Sequence, residues 1–253
     1  MLWLLPALGL AGGMLTTVAG IGGGLMMVLV LSAIYDPAIA LATTSPALLL
    51  GNSHRFFIMR RGFRTPEDVE ALSDDERAAR DRRPALMLAL GALPGAFAGA
   101  LLAISIPTWV LTWLLLAVAV FAVARPLGLL KFRPGGSAFL PGGVLSGAVT
   151  ATSGGGGLVI APILLGAGVR GETYIASTAV IAVAMHIGRI PGYGLGGWFT
   201  AEILLGAGLL ALALFCGNSL GKWIRGKLSE RTSTVIAYSS YIVLLALAVL
   251  GVT

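Results

Sequence analysis

Three polar residues recur at one spacing in two apolar stretches. Thr44, Asn52 and Arg55 stand in the first; Thr178, His186 and Arg189 stand 134 residues further on, in the second. Intervals of eight and eleven residues confine each trio to an arc of about 80° on a helix of 3.6 residues per turn. Thr43 and Ser177 lie beside them. These side chains suit an oxyanion, because hydroxyls donate to its oxygens and a guanidinium holds it by two bonds at once. His186 adds a ring that donates, accepts or takes up a proton near neutral pH. A plainer role stands beside each. The hydroxyls can cross-bond helices, and Arg55 and Arg189, near opposite ends of their segments, can reach lipid headgroups.

The second set of chemical candidates is glycine. GIGGGLMMV at 20–28 and SGGGGLVIA at 153–161 each place a glycine cluster inside a long apolar run. GGGL itself occurs at 22–25 and at 155–158. A helix beginning at such a cluster would leave amide N–H groups unpaired and carry about half a positive charge. Gly22, Gly23 and Gly24, and Gly155, Gly156 and Gly157, put no side chain between those amides and an anion. The competing role is close helix packing of the GxxxG kind, which is the reading for Gly95/Gly99 and Gly217/Gly221. Neither cluster is a P-loop, since no Gly-Lys-Ser/Thr follows. No metal-ligand spacing surrounds His54 or His186, and no cofactor motif is found.

The elements that must position these residues lie in a membrane. Of 253 residues, 57% are hydrophobic and 11% charged, and the mean hydropathy is +0.93. Soluble domains carry roughly 25% charged residues, so the composition predicts an all-α polytopic membrane protein. The net charge of +6 comes from basic residues at segment ends, a membrane-orientation signal that sets nucleic acid aside. Cys216 is the single cysteine, which rules out an internal disulfide. MLWLLPALGLAGG lacks the basic start of a cleaved signal and is read as structure.

Apolar runs cover 2–34, 38–59, 84–106, 108–130, 137–168, 172–190, 200–221 and 232–251. Six approach the roughly 20 residues needed to span. The first and fifth are too long for one straight helix, and each is expected to break at its glycines into two pieces. Leu25–Ile34 and Leu158–Gly168, the pieces after the glycines, would reach about half the bilayer. Arg60, Arg61, Arg64, Arg77, Arg80, Arg82 and Arg83 mark one cytoplasmic loop. Lys131 and Arg133 mark another, and Lys222, Arg225, Lys227 and Arg231 a third. SIPTW and PGYGLGGWFT lack Lys and Arg, and Trp109, Tyr193 and Trp198 in them are candidates for an outer aromatic belt. This assignment makes both glycine-broken runs re-entrant hairpins, the first entered from outside and the second from inside. The expected architecture is therefore two inverted repeats, residues 1–130 with the cytoplasmic loop 60–83 and residues 131–253, each a hairpin plus three spans. Secondary transporters are built so, with the site near the midplane.

No span carries a mid-membrane Asp or Glu, the usual relay for protons or cations. With the cell interior negative, an anion leaves without further coupling, at about 2.3 kcal/mol per charge per 100 mV. The physics leans toward export, with uptake through His186 as the other route. Within 60–83, PEDVEALSDDERAARDRR reads as a short solvated helix starting at Thr65-Pro66.

With GIGGGLMMV, TTS at 43–45, PGAFAGALL at 94–102 and GGGGLVIAPILL in view, the chain resembles the sulfite exporter TauE/SafE family over essentially its whole length. The resemblance implies a bacterial inner-membrane permease for sulfur-containing anions, such as sulfite or sulfonates like sulfoacetate. It departs in two places: Leu29 stands where Pro162 stands in the second half, and the 60–83 loop is longer and more charged.

The reading is a transporter whose partners are a small sulfur-containing anion and the lipid bilayer, with no nucleic acid and no cofactor. Its candidate binding residues are Gly22–Gly24, Thr43, Thr44, Asn52, Arg55, Gly155–Gly157, Ser177, Thr178, His186 and Arg189. The alternatives are an anion channel, a carrier of a different small organic anion, and an intramembrane hydrolase with Ser153 as nucleophile and His186 as base. For the last, G-x-S-x-G is absent.

Overall fold

The computed structural model describes residues 4–63, 73–79, 81–124 and 135–229, together with 232, 235 and 239. The described residues are helical, with no strand among them. The order is α1 (Leu4–Ala19), α2 (Gly23–Ile34), α3 (Pro37–Met59), α4 (Asp74–Ala79), α5 (Arg83–Ser105), α6 (Thr108–Ala124), α7 (Phe139–Ser153), α8 (Gly157–Gly166), α9 (Gly171–Leu195) and α10 (Ala201–Arg225). The run 232–251 and the helix start at Thr65-Pro66 lie outside the described residues.

Both over-long apolar runs break at their glycines. α2 has 12 residues and α8 has 10, so they reach about 18 and 15 Å, roughly half a ~30 Å hydrocarbon layer. Gly12 lies against the Met27 side chain, and Gly142 against Ile163. Each half-helix thus packs back on the helix before it. The breaks are built the same way. Gly20 and Gly154 have φ of +84° and +70°, and their N–H groups donate to Thr16 O and Thr150 O at 2.9 Å. A residue with a Cβ adopts that conformation only at a cost, which is why the chain turns on glycine.

Glycines also set how the long helices meet. A Cβ on Gly91, Gly95 or Gly99 of α5 would lie 2.2, 2.1 or 2.7 Å from Leu140 O, Val144 O or Ala148 Cα of α7. Indices rise together, so α5 and α7 run parallel in backbone contact. α1 and α10 do the same, with Gly9 and Gly13 facing Leu210 O and Leu214 O, and Gly217 facing Leu10 O. The first helix of each broken run therefore lies along a long helix distant in sequence, α1 along α10 and α7 along α5. Such contact replaces the hydrophobic driving force that lipid cannot supply between apolar helices.

The basic ends gather. Lys222 Nζ at the end of α10 donates to Ile58 O at the end of α3, 2.7 Å away. Gly168, after α8, faces Ala78 of α4. Asp36 starts α3 from the opposite end, its carboxylate accepting the Ala38 N–H at 2.7 Å with Pro37 in the first turn.

Two expectations are corrected. The loop placed at 191–200 begins later, because α9 continues through Pro191 to Leu195. A proline near a helix end costs one backbone bond and the following turns re-form. Tyr193 consequently lies inside: it is fully buried, its hydroxyl donating to Ala151 O, whereas Trp109 remains 66% exposed. Trp198 stacks on Tyr193, with ring centres 4.8 Å apart.

Among the described residues, three helices are long and apolar enough to cross a membrane: the run ending at Ser105, α9 and α10. α3 matches them in length with 23 residues, but Asn52, Ser53, His54 and Arg55 interrupt its apolar run.

Candidate functional site

A cavity of about 70 Å³ lies where the two helix breaks meet. One water molecule needs roughly 10–15 Å³ of such space, so it takes a ligand of a few heavy atoms. The breaks supply Gly20, Gly22 and Gly24 on one side and Gly154, Gly155 and Gly157 on the other. α3 supplies Asn52 and Arg55; α9 supplies Thr178, His186 and Arg189. The remaining wall is largely apolar, including Leu25, Leu48, Leu158 and Ile160.

The half-helices α2 and α8 both begin at this cavity. The first bond of α2 runs from Met26 N–H to Gly22 O at 2.9 Å, and that of α8 from Leu158 N–H to Gly155 O at 2.9 Å. The amides of Gly23, Gly24 and Leu25, and of Gly156 and Gly157, come before those bonds. They belong to the positive ends of the half-helices.

The arginines are buried, at 2% exposure for Arg55 and 0% for Arg189. Arg55 Nη1 donates to Thr16 O at 2.9 Å and Gly20 O at 3.1 Å. Arg189 Nη1 donates to Thr150 O at 3.2 Å. Each guanidinium thus binds carbonyls at the end of a helix that precedes a glycine break, a favourable place for a cation. Arg55 Nε, and Arg189 Nε and Nη2, are buried without a hydrogen-bond partner among the described residues. No Asp or Glu lines the cavity among the described residues.

Asn52 Nδ2 lies 3.1 Å from His186 Nε2. With the amide so placed it is the donor, and the ring nitrogen accepts. His186 Nδ1 is then the protonated nitrogen, and it too is buried without a partner.

The predicted residues divide. Gly22, Gly24, Asn52, Arg55, Gly155, Gly157, Thr178, His186 and Arg189 come together around the cavity. Gly23 and Gly156 do not line it; a Cβ there would strike Gly12 O or Thr150 Oγ1. Thr43, Thr44 and Ser177 are buried outside the lining. Thr44 Oγ1 donates to Ala40 O at 2.8 Å, Thr43 packs beside Gly206, and Ser177 Oγ has no partner among the described residues. Thr178 Oγ1, at the cavity, donates to Ile175 O at 2.9 Å. Ser153 donates to Val149 O at 2.8 Å and does not line the cavity that holds His186.

Sequence reasoning missed Thr16 and Thr150, both of which line the cavity. Their hydroxyls bond Gly12 O at 2.6 Å and Ser146 O at 2.8 Å. The signal was present, because the 134-residue interval that relates Arg55 to Arg189 also relates Thr16 to Thr150.

No curated protein and no solved structure matches the chain. A family model described as Sulfite exporter TauE/SafE matches residues 5–250. A match over nearly the whole chain, on a helical fold with membrane-crossing helices, makes this a multi-pass membrane protein of a transporter family. The chain belongs to the sulfite exporter TauE/SafE family.

Proposed function

We propose that the protein carries small sulfur-containing anions, sulfite or organosulfonates such as sulfoacetate, out of the cell across the bacterial inner membrane. The anion sits in the cavity between the starts of α2 and α8, with Arg55 and Arg189 as its attracting charges. The observation that carries this reading is the pair of buried guanidiniums lining one small cavity with no carboxylate among the described lining residues. A buried charge is costly unless paired, and an anion is the partner that this wall calls for.

The mechanism is alternating access between two inverted repeats, residues 1–130 and 131–253, each with a re-entrant hairpin. The exchange of partners, α1 along α10 and α7 along α5, supports this. So does the meeting of the ends of α3 and α10, where Lys222 donates to Ile58 O, which fits a cytoplasmic side. A substrate site between two related halves near the bilayer midplane is the construction expected of such carriers.

The test is flux of labelled sulfite and sulfoacetate in proteoliposomes with the membrane potential clamped to each sign. Saturable flux that reverses with the sign is expected, and Arg189→Ala in a folded variant should weaken binding. No flux of either anion would sink the reading. Single-channel currents faster than a carrier can cycle would make it a channel. Uphill uptake requiring a proton or sodium gradient would make it an importer.

A further inference from the structure

We infer that the cavity selects for a dianion, discriminating against a monoanion of the same shape. This rests on the anion-binding reading above and adds the charge of the substrate to it.

Two guanidiniums, Arg55 and Arg189, line one cavity at 2% and 0% exposure. Their hydrogen bonds in the structure go to the backbone carbonyls of Thr16, Gly20 and Thr150. These carbonyls belong to the negative ends of α1 and α7, which orient the arginines and ease the burial of each charge without removing its formal value. The donors left over, Arg55 Nε and Arg189 Nε and Nη2, need acceptors. His186 adds no third charge in this arrangement, because its Nε2 accepts from Asn52 and a ring that accepts at one nitrogen is neutral. The wall therefore carries two formal positive charges, reinforced by the positive ends of α2 and α8.

The volume decides how those charges are met. About 70 Å³ suits one ligand of a few heavy atoms, at roughly 10–15 Å³ per water-sized unit, lying between the two guanidiniums that line it. One monoanion supplies a single negative charge to the two guanidiniums, whereas one dianion supplies one for each. The dianion is the more strongly hydrated ligand, but the fold has already desolvated both arginines, so it gains a second attraction that the monoanion forgoes.

The experiment is binding by the full-length protein in detergent, measured calorimetrically at one pH with pairs matched in shape and differing in charge. Sulfate is compared with methanesulfonate, where a methyl group replaces one oxygen, and sulfoacetate with its carboxamide; sulfite is the reference. The dianion of each pair should bind more tightly by about tenfold or more, the lower end of what a close charge pair contributes across an interface. Arg55→Gln or Arg189→Gln should bring the ratio toward one, and Arg55→Lys or Arg189→Lys should keep it. Equal affinities within both pairs in the unaltered protein would overturn the inference while leaving the anion site standing. A ratio that both glutamine variants leave unchanged would overturn it as well. If none of the five anions binds, it is the anion-binding reading itself that fails. Should the variants not fold, the ratio in the unaltered protein alone decides.

Discussion

Asn52 and His186 are 134 residues apart in the chain and 3.1 Å apart in the fold, amide nitrogen to ring nitrogen. The interval is the one that relates Arg55 to Arg189 and Thr16 to Thr150. The pair joins α3 to α9 at the wall of the cavity that both residues line. Asn52→Leu removes the partner of a buried ring nitrogen and should cost about 1–3 kcal/mol. His186→Gln, whose amide reaches the position of the ring Nε2, keeps a hydrogen-bonded pair with Asn52 and should cost less. Thermal unfolding in detergent compares them; equal losses would mean that this contact is not what the substitutions disturb.

Gly95 and Gly208 make a matched test of backbone contact. A Cβ on Gly95 would lie 2.1 Å from Val144 O, while one on Gly208 would meet nothing within 4 Å. Gly95→Ala should push α5 from α7 and reduce the yield of folded protein. Gly208→Ala should be neutral or slightly stabilising, since it removes freedom from the unfolded chain at no steric cost. Fluorescence-detected gel filtration of both variants reads the difference.

Gly20 and Gly197 separate strain from collision. Both have positive φ, at +84° and +69°, but a Cβ on Gly20 would reach within 2.4 Å of Tyr174 while Gly197 faces open space. Gly197→Ala should cost about 1–2 kcal/mol, the penalty for a left-handed L-residue. Gly20→Ala should cost more and also impair anion binding, because it moves the wall of the cavity. Similar melting temperatures for the two variants would argue against this account.

Asn218 ties three helices together. Its Nδ2 donates to Gly51 O at 2.7 Å, and its Oδ1 accepts from Thr17 at 3.0 Å. Asn218→Ala strands both partners in a buried setting, and a loss of about 1–3 kcal/mol is expected. Thr17→Val should lose less, because the bond to Gly51 survives. Chemical unfolding in mixed micelles orders the two.

Run length made the helix breaks legible: an apolar stretch as long as 2–34 cannot stay straight within a bilayer, and its glycines say where it turns. The polar trios were legible because one period put them on one face of α3 and of α9. Thr44 shows the limit of that argument, since its hydroxyl is satisfied four residues back by Ala40 O and needs no ligand. Thr16 and Thr150 were hidden for the opposite reason. Hydroxyls such as Thr16 beside Thr17, or Thr150 near Thr152, in Gly- and Ala-rich helices read as packing until tertiary structure brings one of them to the cavity. Tyr193 was misplaced because PGYG reads as a turn, and only the continuation of α9 through Pro191 carries the ring inward.

Arg55 and Arg189 lie over the last carbonyls of α1 and α7, the negative ends of those helices. The positive face that each presents to the cavity is therefore a cover over a surface of the opposite sign. Arg55→Ala combined with Arg189→Ala should abolish anion uptake and bring in monovalent cation flux, which a sodium or rubidium tracer in proteoliposomes would read. On the proposed reading, two side chains, one on α3 and one on α9, then stand between a cavity for anions and the same backbone offering oxygens to a cation.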